Sequence, residues 1–308
     1  MIRTSKPIIF FGSGPVAAES LRLLAEDFTV IAVVTKPRAP HHRGSVPVLE
    51  LAVELGLPAY TVTNKKELDA LIDTRPFSVE LAVLIDFGII VSQKVIDYFP
   101  RGIINSHFSI LPEWRGADPI TFSILSGQEV TGVSLMLLTA GMDEGPIIGY
   151  GEQPMDKFEE PPTTPILTDR LIKLSHTLLQ RYLPLVLSGT ATSTPQDITG
   201  RSISYSRKLT KEDGILHWSK PADVLEREIR AFIEWPKSKA KLGDVSVIIT
   251  KVHVVDESGT PGTIAATNGK LIIYCSKQAL AIDMLKPIGK KEMTGKEFLA
   301  GYKSRINL

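Results

Sequence analysis

The chain has 308 residues, enough for about two domains of ~150 residues each. With 43% hydrophobic and 22% charged residues it has a globular composition, and a formal net charge of +1 selects no class of partner. A single cysteine, Cys275, excludes an internal disulfide and a thiolate metal cluster.

In chain order, residues 1–110 alternate short β-rich runs with amphipathic patterns. Strands are expected at 7–11, 29–34, 58–61, 79–85 and 102–105, and helices near 15–26, 46–55, 65–73 and 92–98. That alternation reads as an α/β fold, a parallel sheet with helices on both faces. Nothing here resembles a signal peptide. The apolar stretch near Leu81 to Val91 is broken by Asp86 and is too short to span a bilayer. A cytoplasmic protein without membrane contact is the simplest expectation. Further strands are expected at 130–138 and 146–153. A helix at 166–187 places Leu167, Leu171, Leu174, Leu178 and Leu185 on about one face.

Periodicity then gives way to Ser, Thr, Gly and Pro, which marks a linker. One more helix, near 221–233, is followed by short apolar segments at 238–242, 245–254, 261–266, 270–275 and 279–285. That spacing suggests a small β-barrel. The expected division is a catalytic domain at 1–188, a linker at 189–205 and a C-terminal domain at 206–308. Charge is divided too. Residues 1–205 hold 17 Lys+Arg against 22 Asp+Glu, and residues 206–308 hold 18 against 12. A basic second half suggests contact with a polyanion, although a solvated lysine face would give the same count.

One stretch says more than any other. A short apolar strand, Gly102 to Ile104, runs into Asn105, His107 and Ser109 at every second position. Pro112 and Gly116 then stop regular structure. Asp143 lies in Ala140 to Gly145, after the apolar run Gly132 to Leu138. Singly, these are ordinary strand-end, loop and turn residues. Together they supply an amide donor, a proton handler and a carboxylate, a set suited to acyl transfer through an oxyanion. Two other motifs are weaker. Phe11 to Ala17 could be a dinucleotide turn, but Thr35 and Lys36 stand where a nicotinamide enzyme needs an acid for the ribose. An NAD(P)-dependent oxidoreductase is therefore a remote alternative. The adjacent His41 and His42 lack further ligands at metal spacing, so no metal site is expected.

Asn105-x-His107-x-Ser109-Ile110-Leu111-Pro112-x-x-Arg115-Gly116, followed by Asp143, resembles the signature of the 10-formyltetrahydrofolate-dependent formyltransferases. It departs from N-x-H-x-S-L-L-P-x-x-R-G only at Ile110. Further along, Lys208 to Trp218, Arg230-Ala231-Phe232, Trp235-Pro236 and Leu285 to Met293 look like the second domain of the tRNA-formylating branch. The resemblance implies a Rossmann-like, mostly parallel sheet domain followed by a small OB-type β-barrel. It implies Asn105, His107 and Asp143 as catalytic residues. It places Ser109, Ile110, Leu111, Pro112, Phe87 and Gly88 at the folate. The co-substrate would be 10-formyltetrahydrofolate, with no metal. The partner would be initiator methionyl-tRNA, and the protein a monomer. Arg38, Arg43, Lys237, Lys239 and Lys241 would meet the tRNA, the lysines from one face of a strand.

The sequence departs from the family pattern at three places. Ser13-Gly14-Pro15 is an inserted or shifted version of Gly-Thr-Pro. Asp86-Phe87-Gly88 stands for Ala-Tyr-Gly. The basic loop from Lys36 to Gly44 is short and lacks a trailing Lys-Lys. The short loop favours the nearest alternative acceptor, an amino-sugar nucleotide; the basic C-terminal domain and Gly289-Lys290-Lys291-x-Met293 oppose it.

Overall fold

The computed structural model describes residues 4–38 and 44–306. The chain forms two compact units, each assembled from separate stretches. The first takes residues 1–119, 130–157 and 168–206, and the second takes 120–129, 158–167 and 207–308.

The elements follow in this order: β1 (Thr4–Phe11), α1 (Pro15–Asp27), β2 (Phe28–Thr35), α2 (Pro47–Glu54), β3 (Ala59–Thr61), α3 (Lys65–Asp73), β4 (Ala82–Leu84), α4 (Gln93–Asp97), β5 (Ile103–His107), β6 (Arg115–Gly116), α5 (Pro119–Ser126), β7 (Val130–Leu137), β8 (Ile147–Pro154), α6 (Thr164–Ser188) and β9 (Tyr205–Ser206). The first unit is organised by a seven-stranded sheet in the order β3-β2-β1-β4-β5-β7-β8. Pairing is parallel from β3 to β5 and antiparallel from β5 through β7 to β8. A separate short pair, β6 with β9, ties residues 115–116 to 205–206.

Local chemistry explains the helix starts. Pro15 and Pro47 open α1 and α2, where a missing N–H costs nothing. The Asn64 side chain caps α3 by accepting from Lys66 N and Glu67 N. Alternation along β1 then sorts the core. Ile9 and Phe11 join Leu68, Ile72, Val95 and Ile96 of α3 and α4 in one cluster. Their neighbours Ile8 and Phe10 point the other way and are also fully buried. Both faces of this sheet are covered, as a parallel sheet requires.

In the second unit, α7 (Ala222–Ala231) precedes β10 (Ser238–Leu242), β11 (Val245–Val255), β12 (Ile264–Thr267), β13 (Lys270–Tyr274), β14 (Ala279–Pro287), β15 (Met293–Thr294) and α8 (Gly295–Tyr302). The strands form one antiparallel sheet in the order β10-β11-β14-β13-β12, with β15 on β14. Its core joins Leu225 and Ile229 of α7, Phe298 and Leu299 of α8, and strand residues including Val247, Leu271 and Leu280. Cys275 is part of that core. Among the described residues no helix is long and apolar enough to cross a membrane.

Two helices differ from the sequence expectation, which has neither. α5 carries Ile, Thr and Phe, residues of low helix propensity, and it is burial of Ile120, Thr121, Ser123 and Ile124 that accompanies its helical form. α8 is short and holds two glycines, yet a reciprocal capping box between Thr294 and Glu297 starts it. Phe298 anchors α8 at 0% exposure and stacks on Tyr302. Phe298→Ala should cost about 3–5 kcal/mol of stability in the second unit. Urea unfolding with the parent alongside will measure it; an unchanged midpoint would show that α8 only decorates the sheet.

Candidate active site

Strand order places the site. The chain builds outward from β1 to β3, then returns to place β4 on the other side of β1. In an open α/β sheet the crevice for ligands lies at such a reversal, beyond the carboxyl ends of the strands. Leu84 pairs with Phe11 on one side and Asn105 on the other. The turn Gly12–Pro15, the segment Asp86–Gly88 and the end of β5 therefore meet at one edge of the sheet.

Asn105 and His107 are the third and last residues of β5. Ser106 between them points the opposite way and pairs with Ser175 at 2.7 Å. Next, the chain folds into a tight, buried loop. Ser134 Oγ donates to Ser109 O and accepts from Leu111 N, both at 2.9 Å, and Ser109 Oγ donates to Glu113 O at 2.5 Å. This turns Trp114 into a left-handed conformation (φ +56°), and its carbonyl meets His107 Nε2 at 3.0 Å. A carbonyl only accepts, so Nε2 carries a hydrogen and Nδ1 is the edge turned elsewhere.

Nδ1 faces Asp143. The Asp143 Oδ2 to His107 Nδ1 distance is 3.7 Å, longer than a hydrogen bond, with the two side chains only 15% and 6% exposed. Oδ2 also accepts from Gly116 N at 2.8 Å, and Oδ1 accepts from Asn105 Nδ2 at 3.3 Å. One carboxylate thus touches all three neighbours. Gly116 must be glycine to provide that N–H. Its φ is +114°, and a Cβ there would lie 2.4 Å from Ser206 O. Asp143 itself is left-handed at φ +52°.

The residues expected at the folate are more deeply placed than their motif suggests. Ser109, Ile110 and Leu111 are buried in the loop. The Phe87 ring is 1% exposed and packs edge-on to Phe11 at 5.4 Å. A ligand at this edge would meet Phe87 through its backbone. Gly88 is exposed, at φ +63°, with the Lys36 ammonium beside it. Sequence reading passed over Ile90 (74% exposed) and Met142 (65% exposed), apolar side chains left in solvent on the segments that follow β4 and precede Asp143. It also passed over Gln196, which is buried behind Asp143. Only exposure could single out the first two, and only contacts the third.

The residues expected at tRNA lie on separate segments. Arg43 lies outside the described residues. Arg38 holds Gly44 O at 2.6 Å and Glu50 Oε1 at 3.0 Å. Lys239 and Lys241 lie two apart on β10 and share a face. Lys237 does not belong to that alternation. It precedes the strand in a left-handed conformation, φ +70°, so its direction is set by the turn. Among the described residues no group of three or more His, Cys, Asp or Glu could hold a metal ion.

Asp86 is left-handed too, at φ +46°. Its carboxylate lies on the Gly14 backbone, where a Cβ would come within 2.0 Å of Oδ2. One side of the residue stays open to solvent while protein crowds the other. Burial pushes the carboxyl up to about 6, Lys36 opposes that, and Asp118 adds to it. The folded-state value is raised, so the unfolded chain ionises first as pH rises. The folded state is therefore penalised progressively from pH ~4, and fully above about 6. Asp86→Asn should be more stable than the parent at pH 7–8, by under about 1 kcal/mol because solvent screens the open side. The difference should vanish below pH ~4. Thermal melts across that range will check it; a pH-independent difference would contradict it.

The chain matches the Formyl transferase family over residues 6–183 and the Formyl transferase, C-terminal domain family over residues 208–303. It is 33% identical over 305 residues to a methionyl-tRNA formyltransferase of Myxococcus xanthus, covering 97% of this chain and 96% of that one. It is 31% identical over 304 residues to the one of Thermodesulfovibrio yellowstonii, covering 97% of each. Among solved structures, an N-formyltransferase from Helicobacter canadensis in complex with folinic acid and dTDP-3-aminofucose superposes with a TM-score of 0.66 at 17% identity, covering 94% of this chain and all of that one. HypX from Aquifex aeolicus in complex with tetrahydrofolic acid gives 0.62 at 15% identity, covering 96% of this chain and 47% of that one. At such identities the solved structures speak for the fold alone. Family matches across both halves, together with near full-length relatives above 30% identity, place this chain in the formyl transferase family.

Proposed function

We propose that the protein transfers the formyl group of 10-formyltetrahydrofolate to the α-amine of methionine carried by initiator tRNA. One observation carries the reading: Asn105, His107 and the Gly116 N–H converge on the Asp143 carboxylate at the carboxyl edge of the sheet. The near full-length relatives named as methionyl-tRNA formyltransferases support the choice of acceptor.

The chemistry follows from what each group can offer. An α-amine has an ordinary pKa near ~8, so a useful fraction is neutral and needs positioning more than deprotonation. Its lone pair forms a bond to the formyl carbon, and the carbonyl oxygen becomes an oxyanion. Asn105 spends one Nδ2 hydrogen on Asp143 and has its second for that oxygen. The bond from carbon to the folate nitrogen then breaks. The attacking amine must lose a proton and the departing nitrogen must gain one. The His107 Nδ1 edge, facing Asp143 and lying beyond hydrogen-bond distance from it, is placed to hold that proton between the two. The backbone of Phe87 and Gly88 and the turn at Ser109–Pro112 would shape the folate pocket, with Ile90 and Met142 offering apolar surface to a flat ring. Arg38, Arg43, Lys237, Lys239 and Lys241 would meet tRNA phosphates.

Replacing Asn105 or His107 by Ala should lower kcat by roughly 10²–10³ while folate binding stays near the parent value, because both groups act mainly on the transition state. Formylation of charged initiator tRNA, with an amino-sugar nucleotide as a parallel acceptor, will test this. Near-parent turnover in both variants would sink the catalytic assignment, and formylation of the sugar alone would replace the acceptor.

Affinity for tRNA should fall steeply with salt. Neutralising Lys237, Lys239 and Lys241 together should flatten the plot of log K against log salt by up to about three units, at ~0.9 per phosphate contact. An unchanged slope would mean that these lysines meet only solvent.

A further inference from the structure

The proposed chemistry depends on where the Asp143 carboxylate points, and a residue outside the motif bonds the backbone of its loop. Gln196 lies on a short 3-10 turn, Gln196–Ile198, between α6 and β9. It is 4% exposed. Its Nε2 donates to Asp143 O and to Gly145 O, both at 2.8 Å. Its Oε1 accepts from Arg115 Nε at 3.1 Å and from Arg115 Nη2 at 2.8 Å. An amide side chain has two donor hydrogens and two acceptor lone pairs, and here all four are engaged. Two carbonyls on one side and a guanidinium on the other permit only one orientation of the amide.

We propose that Gln196 is a positioning residue of this active site, holding the Asp143 loop so that its carboxylate meets Asn105, His107 and Gly116. The loop needs holding. Asp143 sits in a left-handed conformation, which is strained for a non-glycine residue and persists only where neighbours enforce it. Gln196 grips that residue's own carbonyl and the carbonyl two residues on. Its place in turn is fixed by the preceding Thr194, which exchanges two 2.8 Å backbone hydrogen bonds with Ile147. The same strap reaches the other side of His107. Ser204 Oγ accepts from Trp114 N at 2.9 Å and Ser204 O accepts from Arg115 N at 2.9 Å, beside the carbonyl that takes His107 Nε2. A segment with linker composition therefore holds the partners of both imidazole nitrogens.

The inference rests on the formyl-transfer reading, and its test separates the two. In the free protein, the Gly116 amide donates to Asp143 Oδ2, so its hydrogen exchange reports the carboxylate without any substrate. Gln196→Ala should speed that exchange at least tenfold. Gln196→Glu, isosteric but lacking the two donor hydrogens, should do the same if Ala folds poorly. In formylation assays on folded protein, either variant should lower kcat by ~10–100-fold, the scale of a small misplacement, with both KM values within about twofold of the parent. In an Asp143→Asn background the same change should cost under about threefold more, since it acts through Asp143. Parent-like exchange at Gly116, or losses that multiply fully in the double variant, would overturn the proposal. A parent enzyme that exchanges as expected yet formylates no charged tRNA would overturn the functional reading alone.

Discussion

Everything at the carboxyl edge of the first sheet turns on the Asp143 carboxylate. Its two oxygens receive an amide hydrogen from Asn105 and a backbone hydrogen from Gly116, and one of them faces the His107 ring. Each neighbour is already constrained. Asn105 and His107 sit in register on β5, with Leu84 on one side and Met136 and Ser134 on the other. Gly116 is held by pairing of β6 with β9. A group fixed by so many partners does not have to reorganise when charge develops beside it, and that is where an enzyme gains most from electrostatics. The left-handed backbone at Trp114 and Asp143 follows the same logic. Strain at these positions brings a carbonyl and a carboxylate onto opposite nitrogens of one imidazole.

Two departures from the family pattern become a single feature in three dimensions. The Ser13-Gly14-Pro15 turn carries no side chain at residue 14, and Asp86 stands where the pattern has alanine. The Asp86 carboxylate occupies the space that a side chain on residue 14 would need. A side chain missing on one strand end is thus filled from the next. The exchange carries a charge into the crevice, and burial raises the pKa of that group to about 6. Near neutral pH, Asp86 therefore changes charge more readily than an ordinary aspartate, and a cationic acceptor amine at this edge would feel it.

Legibility in the sequence followed the range of the interactions involved. Strong alternation of β and helical patterns exposed the parallel sheet and the antiparallel strands of the second unit, because periodicity records which face is buried. α5 and α8 lacked that signal: the first has β-prone residues, and the second is short and depends on a cap and one phenylalanine. In the site, Asn105, His107 and Asp143 stood out because their spacing is chemical. Phe87 shows the limit of that kind of reading. The resemblance places Phe87 at the folate, whereas its ring completes the core against Phe11. Lys237 shows a second limit, since alternation predicts a face only while the backbone remains extended, and at φ +70° it does not. Gln196 shows the third. Ser, Thr, Gly and Pro around it report irregular backbone, and irregular backbone is compatible with full burial when its polar groups are satisfied.

Burial of the whole Ser109–Leu111 turn has a consequence for recognition. Side chains packed to this degree cannot rearrange around a ligand, so the turn must present a preformed surface. The turn's own backbone is already engaged, Ser109 O and Leu111 N with Ser134 Oγ and Ile110 O with Glu113 N, so the backbone left to offer is that at Phe87 and the exposed Gly88. Backbone donors and acceptors suit a flat heterocycle with hydrogen-bonding edges, because their spacing is fixed by the fold and does not depend on rotamers. In the proposed reaction, selection of the acceptor is a different problem and would fall to flexible cationic side chains such as Lys36 beside Gly88 and the lysines on and before β10. A rigid site for the donor and flexible cations for a large polyanion would let one protein serve a small folate and a long nucleic acid without either compromising the other.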